Sequence, residues 1–425
     1  MPPPPPGQEV GEEVEVQITG IAPKGDGIGQ LGDKAVFASR TIPGERIRVQ
    51  IRRHRREWIA VDVLEVLEPS PDRVEPRCPL FGRCSGCQLQ HVAYPRQLTL
   101  KRDTVIGHLR EHGGFEDAPV AEVIGAEDPW YYRNHGRFTV EDGQLGFVRH
   151  YRREFLQVPH CYIMEPAINE VLDKLQGRLH SATQCNVRSG RPAGSMMIQP
   201  RLTEPSDAPP SGQPTLNEML CGHSFRVSAA AFFQVNRAQA EQLIGLVREG
   251  VGAGPSGVVV DAYAGVGTFA VLLSPHVGTV IAIEESGPAV EDAKVNAAGL
   301  TNVQLRLGKS EEILGTLEGP VDAIILDPPR SGCQPSALQA VLDHRPARVV
   351  YVSCDPETLA RDLRVLVDAE PGFDLLSVQP VDMFPHTHHI ECVATLVRRE
   401  GAATTHPTPE PSGTPETDVD PGPVG

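Results

Sequence analysis

The chain has 425 residues, and 39 basic against 55 acidic side chains leave a formal charge of −16. With 40% hydrophobic and 5% aromatic residues, this is the composition of a globular protein of about two to three domains, not of a polycation that coats nucleic acid. Met1 is followed by prolines and acids rather than by a charged-then-apolar leader, so a cytoplasmic protein is expected, and its nine cysteines point to metal binding or catalysis rather than to a disulfide framework.

Residues 1–9 read as a Pro-rich disordered arm and 401–425 as a disordered acidic tail, because neither can bury enough apolar surface to fold. Over 10–68, Val14, Val16 and Ile18, then Ile47, Val49 and Ile51, alternate with polar residues between Gly-rich turns, which predicts a small OB-like β-barrel. A Pro-rich boundary at 69–79 opens onto clustered cysteines, and 69–222 reads as an α+β domain with an inserted loop at 203–214. From 223 to 400 strand and helix patterns alternate. Strands are predicted at 258–260, 280–283, 323–326, 349–352 and 393–397, with helices at 239–249, 289–298, 336–343 and 358–368, a doubly wound Rossmann-like α/β domain. The longest uncharged stretch, 262–283, is broken by Gly265, Gly267, Pro275 and Gly278, so no membrane association is expected.

Within that last domain, Val258-Val-Val-Asp261 runs into Gly265-x-Gly267, a strand and a turn whose glycines let backbone approach a nucleotide-like ligand. Glu284 ends the next strand, where a carboxylate can hold ribose hydroxyls; by itself this pattern also suits a dinucleotide. Leu326-Asp327-Pro328-Pro329-Arg330, at another strand end, resembles the Asp-Pro-Pro element of base-modifying S-adenosylmethionine methyltransferases and favours that cofactor over NAD.

Cys354, in Ser353-Cys354-Asp355-Pro356, stands at a strand-to-helix junction, where a helix dipole would lower a thiol pKa. Methylating carbon 5 of a pyrimidine requires such a nucleophile, because thiolate addition at carbon 6 makes carbon 5 reactive; a base must then remove the carbon 5 proton. Glu391 is the candidate base. His386, His388 and His389 are rival bases, phosphate contacts or plain surface histidines.

Together, Phe233-Gln234-Val235-Asn236, the stretches 261–268, 326–332 and 351–362, and the run 383–391 resemble the RNA uracil-C5 methyltransferase family. The resemblance implies that Cys354 is the nucleophile and Glu391 the general base, and that Gln234, Tyr263, Glu284 and Asp327 contact S-adenosylmethionine.

Cys78-x5-Cys84-x2-Cys87 with Cys161 offers four thiolates, which on chemistry alone suit zinc or an iron–sulfur cluster. Similarity to the ribosomal-RNA branch of the family implies a [4Fe-4S] cluster on these four. The barrel resembles a TRAM domain. Its segment 40–58 holds Arg40, Arg46, Arg48, Arg52, Arg53, Arg55 and Arg56 against Glu45 and Glu57, a local charge of +5 that predicts an RNA footprint. Tyr131, Tyr132, Arg133, Arg137, Phe138, Arg149, Tyr151, Arg152 and Arg153 form a second region suited to base stacking and backbone contact. The reading is an enzyme making 5-methyluridine in RNA. Barrel plus cluster favour 23S ribosomal RNA over transfer RNA, with no membrane and no obligate protein partner expected. A non-catalytic RNA-binding or ribosome-assembly factor is the alternative of a different class.

Overall fold

A computed structural model describes residues 9–149 and 154–399; most of the Pro-rich arm, the acidic tail, and Tyr151, Arg152 and Arg153 lie outside the described residues. Strands β1 (Glu13–Ile21), β2 (Gly27–Leu31), β3 (Lys34–Ala38), β4 (Arg46–His54) and β5 (Trp58–Glu68) close into a barrel in the order β1-β2-β3-β5-β4. The alternation seen in the sequence points Val16, Ile18, Ile47, Val49, Ile51 and Ile59 inward, all buried. Gly29 is required where β1 and β2 nearly touch, since a Cβ there would lie 2.5 Å from Val16 Cγ1.

The outward-facing residues of the barrel are arranged differently from the linear charge count. Arg46 pairs with Glu15 at 2.6 Å and Glu68 at 2.5 Å, Arg48 with Glu65 at 3.0 Å, and Arg52 with Asp62 at 2.7 Å. These acids sit on neighbouring strands, so much of the local charge of +5 is neutralised across the sheet.

Helix α1 (Tyr94–Gly113) follows the cysteine-rich loop. Next come β6 (His135–Glu141), β7 (Gln144–Val148), β8 (Phe155–Gln157), α2 (Pro166–Leu175), β9 (Gln184–Ser189) and β10 (Met196–Gln199), whose five strands form one sheet in the order β10-β9-β6-β7-β8. Ile168, Leu172 and Leu175 of α2 cover it over Phe138, Leu145 and Val187. Strands β11 (Thr215–Leu220) and β12 (His223–Ser228) form a hairpin.

The remaining elements are α3 (Arg237–Val251), β13 (Val258–Asp261), α4 (Thr268–Leu273), β14 (Thr279–Glu284), α5 (Gly287–Asn296), β15 (Val303–Leu307), α6 (Ser310–Ile313), β16 (Ala323–Leu326), α7 (Pro335–His344), β17 (Arg348–Ser353), α8 (Pro356–Asp368), β18 (Phe373–Val381) and β19 (Glu391–Arg398). Their sheet runs β15-β14-β13-β16-β17-β19-β18, and β19 is antiparallel to both its neighbours. Ile324 and Leu326 feed one core while Ala323 and Ile325 feed the other, so both faces are covered, as the unbroken apolar runs predict. The segment before β6 takes part as well. Val105 and Leu109 of α1 pack into the core beneath α8, and Val120 and Ile124 bridge to Val378 and Val381 of β18. Two strands, β15 and β18, were not expected; both lie at sheet edges, and Leu307 and Leu376 are exposed there. No helix among the described residues is long and apolar enough to cross a membrane.

Candidate active site

Strand order reverses at β13, which has β14 on one side and β16 on the other, and the crevice beyond the carboxyl ends of such strands is where α/β folds hold ligands. Asp261, Glu284, Asp327 and Cys354 end or immediately follow β13, β14, β16 and β17 on that edge. β19 runs the opposite way, so its first residue, Glu391, reaches the same edge. The register pairing Ser353 with Cys392 sets Cys354 beside Glu391.

The turn after β13 needs left-handed backbone at Gly265 (φ 55°) and Gly267 (φ 84°). Glu284 fixes this turn: its Oε2 accepts from the Gly265 amide at 2.8 Å and its Oε1 from the Ser286 amide at 2.7 Å. Tyr263 is half-buried in the same turn. Gln234 lies in the turn before α3, where its carbonyl accepts from Asn134 Nδ2 at 3.3 Å.

Carboxyl groups along this edge are desolvated and crowd one another. Burial, then Asp327 and Glu284, pushes Asp261 up to about 8. Burial alone takes Asp327 to about 7. Burial, with Asp327 added, takes Glu391 to about 8, against the pull of Arg330. The Cys354 thiol is likewise pushed up, to about 11, by burial and by Glu391, while Arg330, hydrogen-bonded to it, acts in the opposite direction. The lowered thiol pKa expected from the helix dipole is therefore not what the structure gives. Asp355, not Cys354, caps α8, accepting from the Glu357 and Thr358 amides at 3.1 and 3.2 Å, so the free donors of the helix end are already taken. Arg330 is the cation the sequence reading passed over, although it adjoins Asp327-Pro-Pro. Asp261, quoted there only as the start of a motif, is the other omission.

The loop between β18 and β19 is held from several sides. Asp382, fully buried, pairs with buried Lys101 of α1 at 2.6 Å and accepts from Tyr94 Oη at 2.9 Å. His386 stacks on Trp130 with centroids 3.8 Å apart, and its Nδ1 lies 3.1 Å from Gln97 Nε2. Asn236 Nδ2 and Gln239 Nε2 donate to the carbonyls of Met383 and Asp382. None of the three histidines is a plain surface residue. His386 is buried, and burial with nearby Lys101 lowers it to about 3; His388 and His389 are half-buried and fall to about 4 and 3. Imidazoles held neutral in this way, with His386 locked between Trp130 and Gln97, are poorly placed to gain a proton. Burial acts the other way on Glu391, raising its proton affinity.

Cys78, Cys84, Cys87 and Cys161 line one cavity of about 480 Å³ together with Gln234, Arg330 and His389. Burial raises all four thiols, and neighbouring sulfurs add to it at Cys84, Cys87 and Cys161; Cys161 reaches about 11. Among the described residues the trio of metal-type donors lying within 4.8 Å of one another is His108, His112 and Glu357, not any three of these sulfurs. Of the second Arg/aromatic region, Phe138 and Tyr132 are buried, the latter donating to the Pro385 carbonyl at 3.1 Å, so neither can stack on RNA; Arg133 and Arg137 line the cysteine cavity.

Residues 221–399 match the family model described as tRNA (Uracil-5-)-methyltransferase, and 7–57 match the TRAM domain. The chain is 34% identical to an uncharacterized RNA methyltransferase of Caldanaerobacter subterraneus subsp. tengcongensis, covering 92% of this chain and 99% of the relative. It is 32% identical to another of Thermosynechococcus vestitus, covering 91% and 98%. Its fold is that of the Pyrococcus abyssi tRNA (uracil-54, C5)-methyltransferase solved with S-adenosyl-L-homocysteine: TM-score 0.69 at 23% identity, over 90% of this chain and all of that one.

Proposed function

Because the chain belongs to the tRNA (uracil-5-)-methyltransferase family and is an S-adenosylmethionine-dependent RNA methyltransferase, we propose that it methylates carbon 5 of a uridine in 23S ribosomal RNA. The observation that carries the chemistry is that Cys354, just after β17, and Glu391, at the start of β19, come side by side at the crevice of the sheet. Cys354 loses its proton to solvent, with Arg330 as the counter-charge, and its Sγ bonds to carbon 6 of the uracil. The ring's electron pair moves onto carbon 5 and its carbonyl. Carbon 5 then takes the methyl group from the sulfonium of S-adenosylmethionine, whose sulfur keeps the bonding pair as S-adenosylhomocysteine leaves. Glu391 removes the carbon 5 proton, the Sγ–carbon 6 bond breaks, and the thiolate returns. Gln234, Tyr263, Glu284 and Asp327 would hold the methyl donor; Glu284 already orders the glycine turn beside it. The target base must leave its stack to reach Cys354.

The ribosomal substrate rests on the likeness of the four-cysteine set to the ribosomal-RNA branch of the family; the barrel does not discriminate, since the Pyrococcus abyssi tRNA enzyme shares this fold over 90% of the chain. An all-sulfur donor set gathered in one cavity fits a [4Fe-4S] cluster on Cys78, Cys84, Cys87 and Cys161. Such a cluster would be structural, tying the loop at 78–87 to Cys161 beside the RNA-facing cavity. A cytoplasmic enzyme follows from this substrate.

The test is purified protein with labelled methyl donor, offered 23S ribosomal RNA and transfer RNA, followed by nucleoside mass spectrometry. Label in 5-methyluridine of 23S RNA is expected; label confined to transfer RNA would overturn the ribosomal assignment. Anaerobically purified protein should be brown, and Cys78→Ser or Cys161→Ser should bleach it. A colourless protein with one bound zinc would overturn the cluster.

A further inference from the structure

Away from the crevice, three side chains of metal-ligating type converge from two helices. His108 and His112 are four residues apart on α1 and therefore share a face; their rings stack with centroids 5.3 Å apart at 25°. Glu357, in the first turn of α8, completes the group, with one donor atom from each of the three within 4.8 Å of the others. A close helix crossing makes this possible. A Cβ on Gly113, the neighbour of His112, would lie 3.1 Å from the Ala360 carbonyl oxygen, and Arg364 sits over the Phe115 ring at 5.7 Å.

A further observation points to a cation. Nδ1 of His108 is buried with no hydrogen-bond partner, a state that buried polar atoms of native proteins rarely keep. We propose that His108, His112 and Glu357 form a site for one divalent transition-metal ion of the zinc class. Two imidazoles and one carboxylate suit zinc, cobalt or nickel rather than magnesium or calcium, and leave a position for water. The ion would clamp α1 to the first turn of α8, three residues beyond Cys354, as a structural staple and not as a participant in methyl transfer. This site is independent of the four cysteines and of the RNA substrate.

The experiment is titration of the full-length, anaerobically purified protein with CoCl2, followed by its visible spectrum, and with ZnCl2, followed by melting temperature. One equivalent of cobalt should bind with ligand-field bands of a nitrogen and oxygen donor set, free of sulfur-to-metal charge transfer, and zinc should raise the melting temperature. His112→Gln and Glu357→Gln alter exposed side chains, so the metal-free melting temperature should not move. Each should weaken binding by about tenfold or more and remove the zinc-dependent rise. Wild-type affinity in both variants, a thiolate-type cobalt spectrum, or no cobalt binding by the parent protein would overturn the site.

Discussion

On the barrel wall Arg46, Arg48 and Arg52 meet Glu15, Glu68, Glu65 and Asp62 in solvent, whereas in the crevice Asp261, Asp327 and Glu391 are desolvated together and Arg330 is the cation acting on Glu391 and Cys354. Both regions are rich in charge. On the barrel the charges are paired across strands, screened by water and nearly silent. In the crevice they are left uncompensated, which shifts their proton affinities toward the range where a base can work. The contrast also divides the barrel's own arginines. Arg46, Arg48 and Arg52 are spoken for, while no ion pair holds Arg53, Arg55 or Arg56 among the described residues, and Arg55 lies over the Trp58 ring at 5.9 Å. If the barrel grips RNA, it does so chiefly with the second set.

The sharpest way to break this comparison is at the crevice. Cys354→Ala should lower turnover by about four orders of magnitude or more and abolish the covalent RNA adduct, with RNA binding retained. Substantial activity in that variant would remove the nucleophile. Glu391→Gln should cost about 10²–10⁴-fold in turnover and behave differently on a denaturing gel, accumulating a methylated covalent complex because only proton removal is blocked. Its absence would disqualify Glu391 as the base.

Effects of pH come next in size. A general base must be ionised, so kcat/KM should climb as pH rises toward and past about 8, the value for Glu391, and a profile flat from pH 6 upward would contradict its burial. Stability should move the other way. Asp261 is raised from 3.8 to about 8 and Glu391 from 4.5 to about 8, so the folded protein holds more protons than the unfolded chain across that window. Stability from these groups is complete below about pH 4 and is lost as pH rises through about 8. The melting temperature should fall over that interval, and Asp261→Asn should flatten the fall.

The smallest effects belong to the barrel. Arg53→Ser, Arg55→Ser and Arg56→Ser together should raise the Michaelis constant for RNA and flatten its salt dependence by up to about one unit of log–log slope per lost contact, leaving the affinity for S-adenosylmethionine intact. Changing Arg46, Arg48 and Arg52 to Ser should do less. Equal effects from the two triple variants would show that cross-strand pairing does not remove an arginine from the RNA-facing surface.

What the sequence made legible follows a physical line. Central strands such as β16 and β17 are buried on both faces and read as unbroken apolar runs, and helices α3, α5, α7 and α8 fall where their periodicity places them. β15 and β18 gave no such signal, because an edge strand keeps one side in water and tolerates Gln304, Arg306 or Pro380. In the same way Cys354, Glu391 and Asp327 were legible because each adjoins a strand end. Arg330 acquires its importance only when β16 and β17 are set side by side, and Lys101 meets Asp382 across 281 residues. The proton affinity of Cys354 was misjudged for a related reason: a local motif shows the helix that follows, but not the carboxylate that the next strand of the sheet brings alongside.

That strand has a consequence for how the molecule is made. β19 is threaded between β17 and β18 although it follows both in the chain. While a ribosome is still extending the polypeptide, the flank of β17 therefore stays bare, and β18 lacks its neighbour in the sheet until residues 391–398 emerge. A nascent chain halted before Glu391 would display an unpaired hydrophobic strand edge, the kind of surface that chaperones retain and aggregates recruit. On the proposed mechanism it could not complete a turnover either, since the segment that seals the sheet is the one that sets Glu391 beside Cys354. Under that mechanism, completion of folding and the capacity to turn over become a single event.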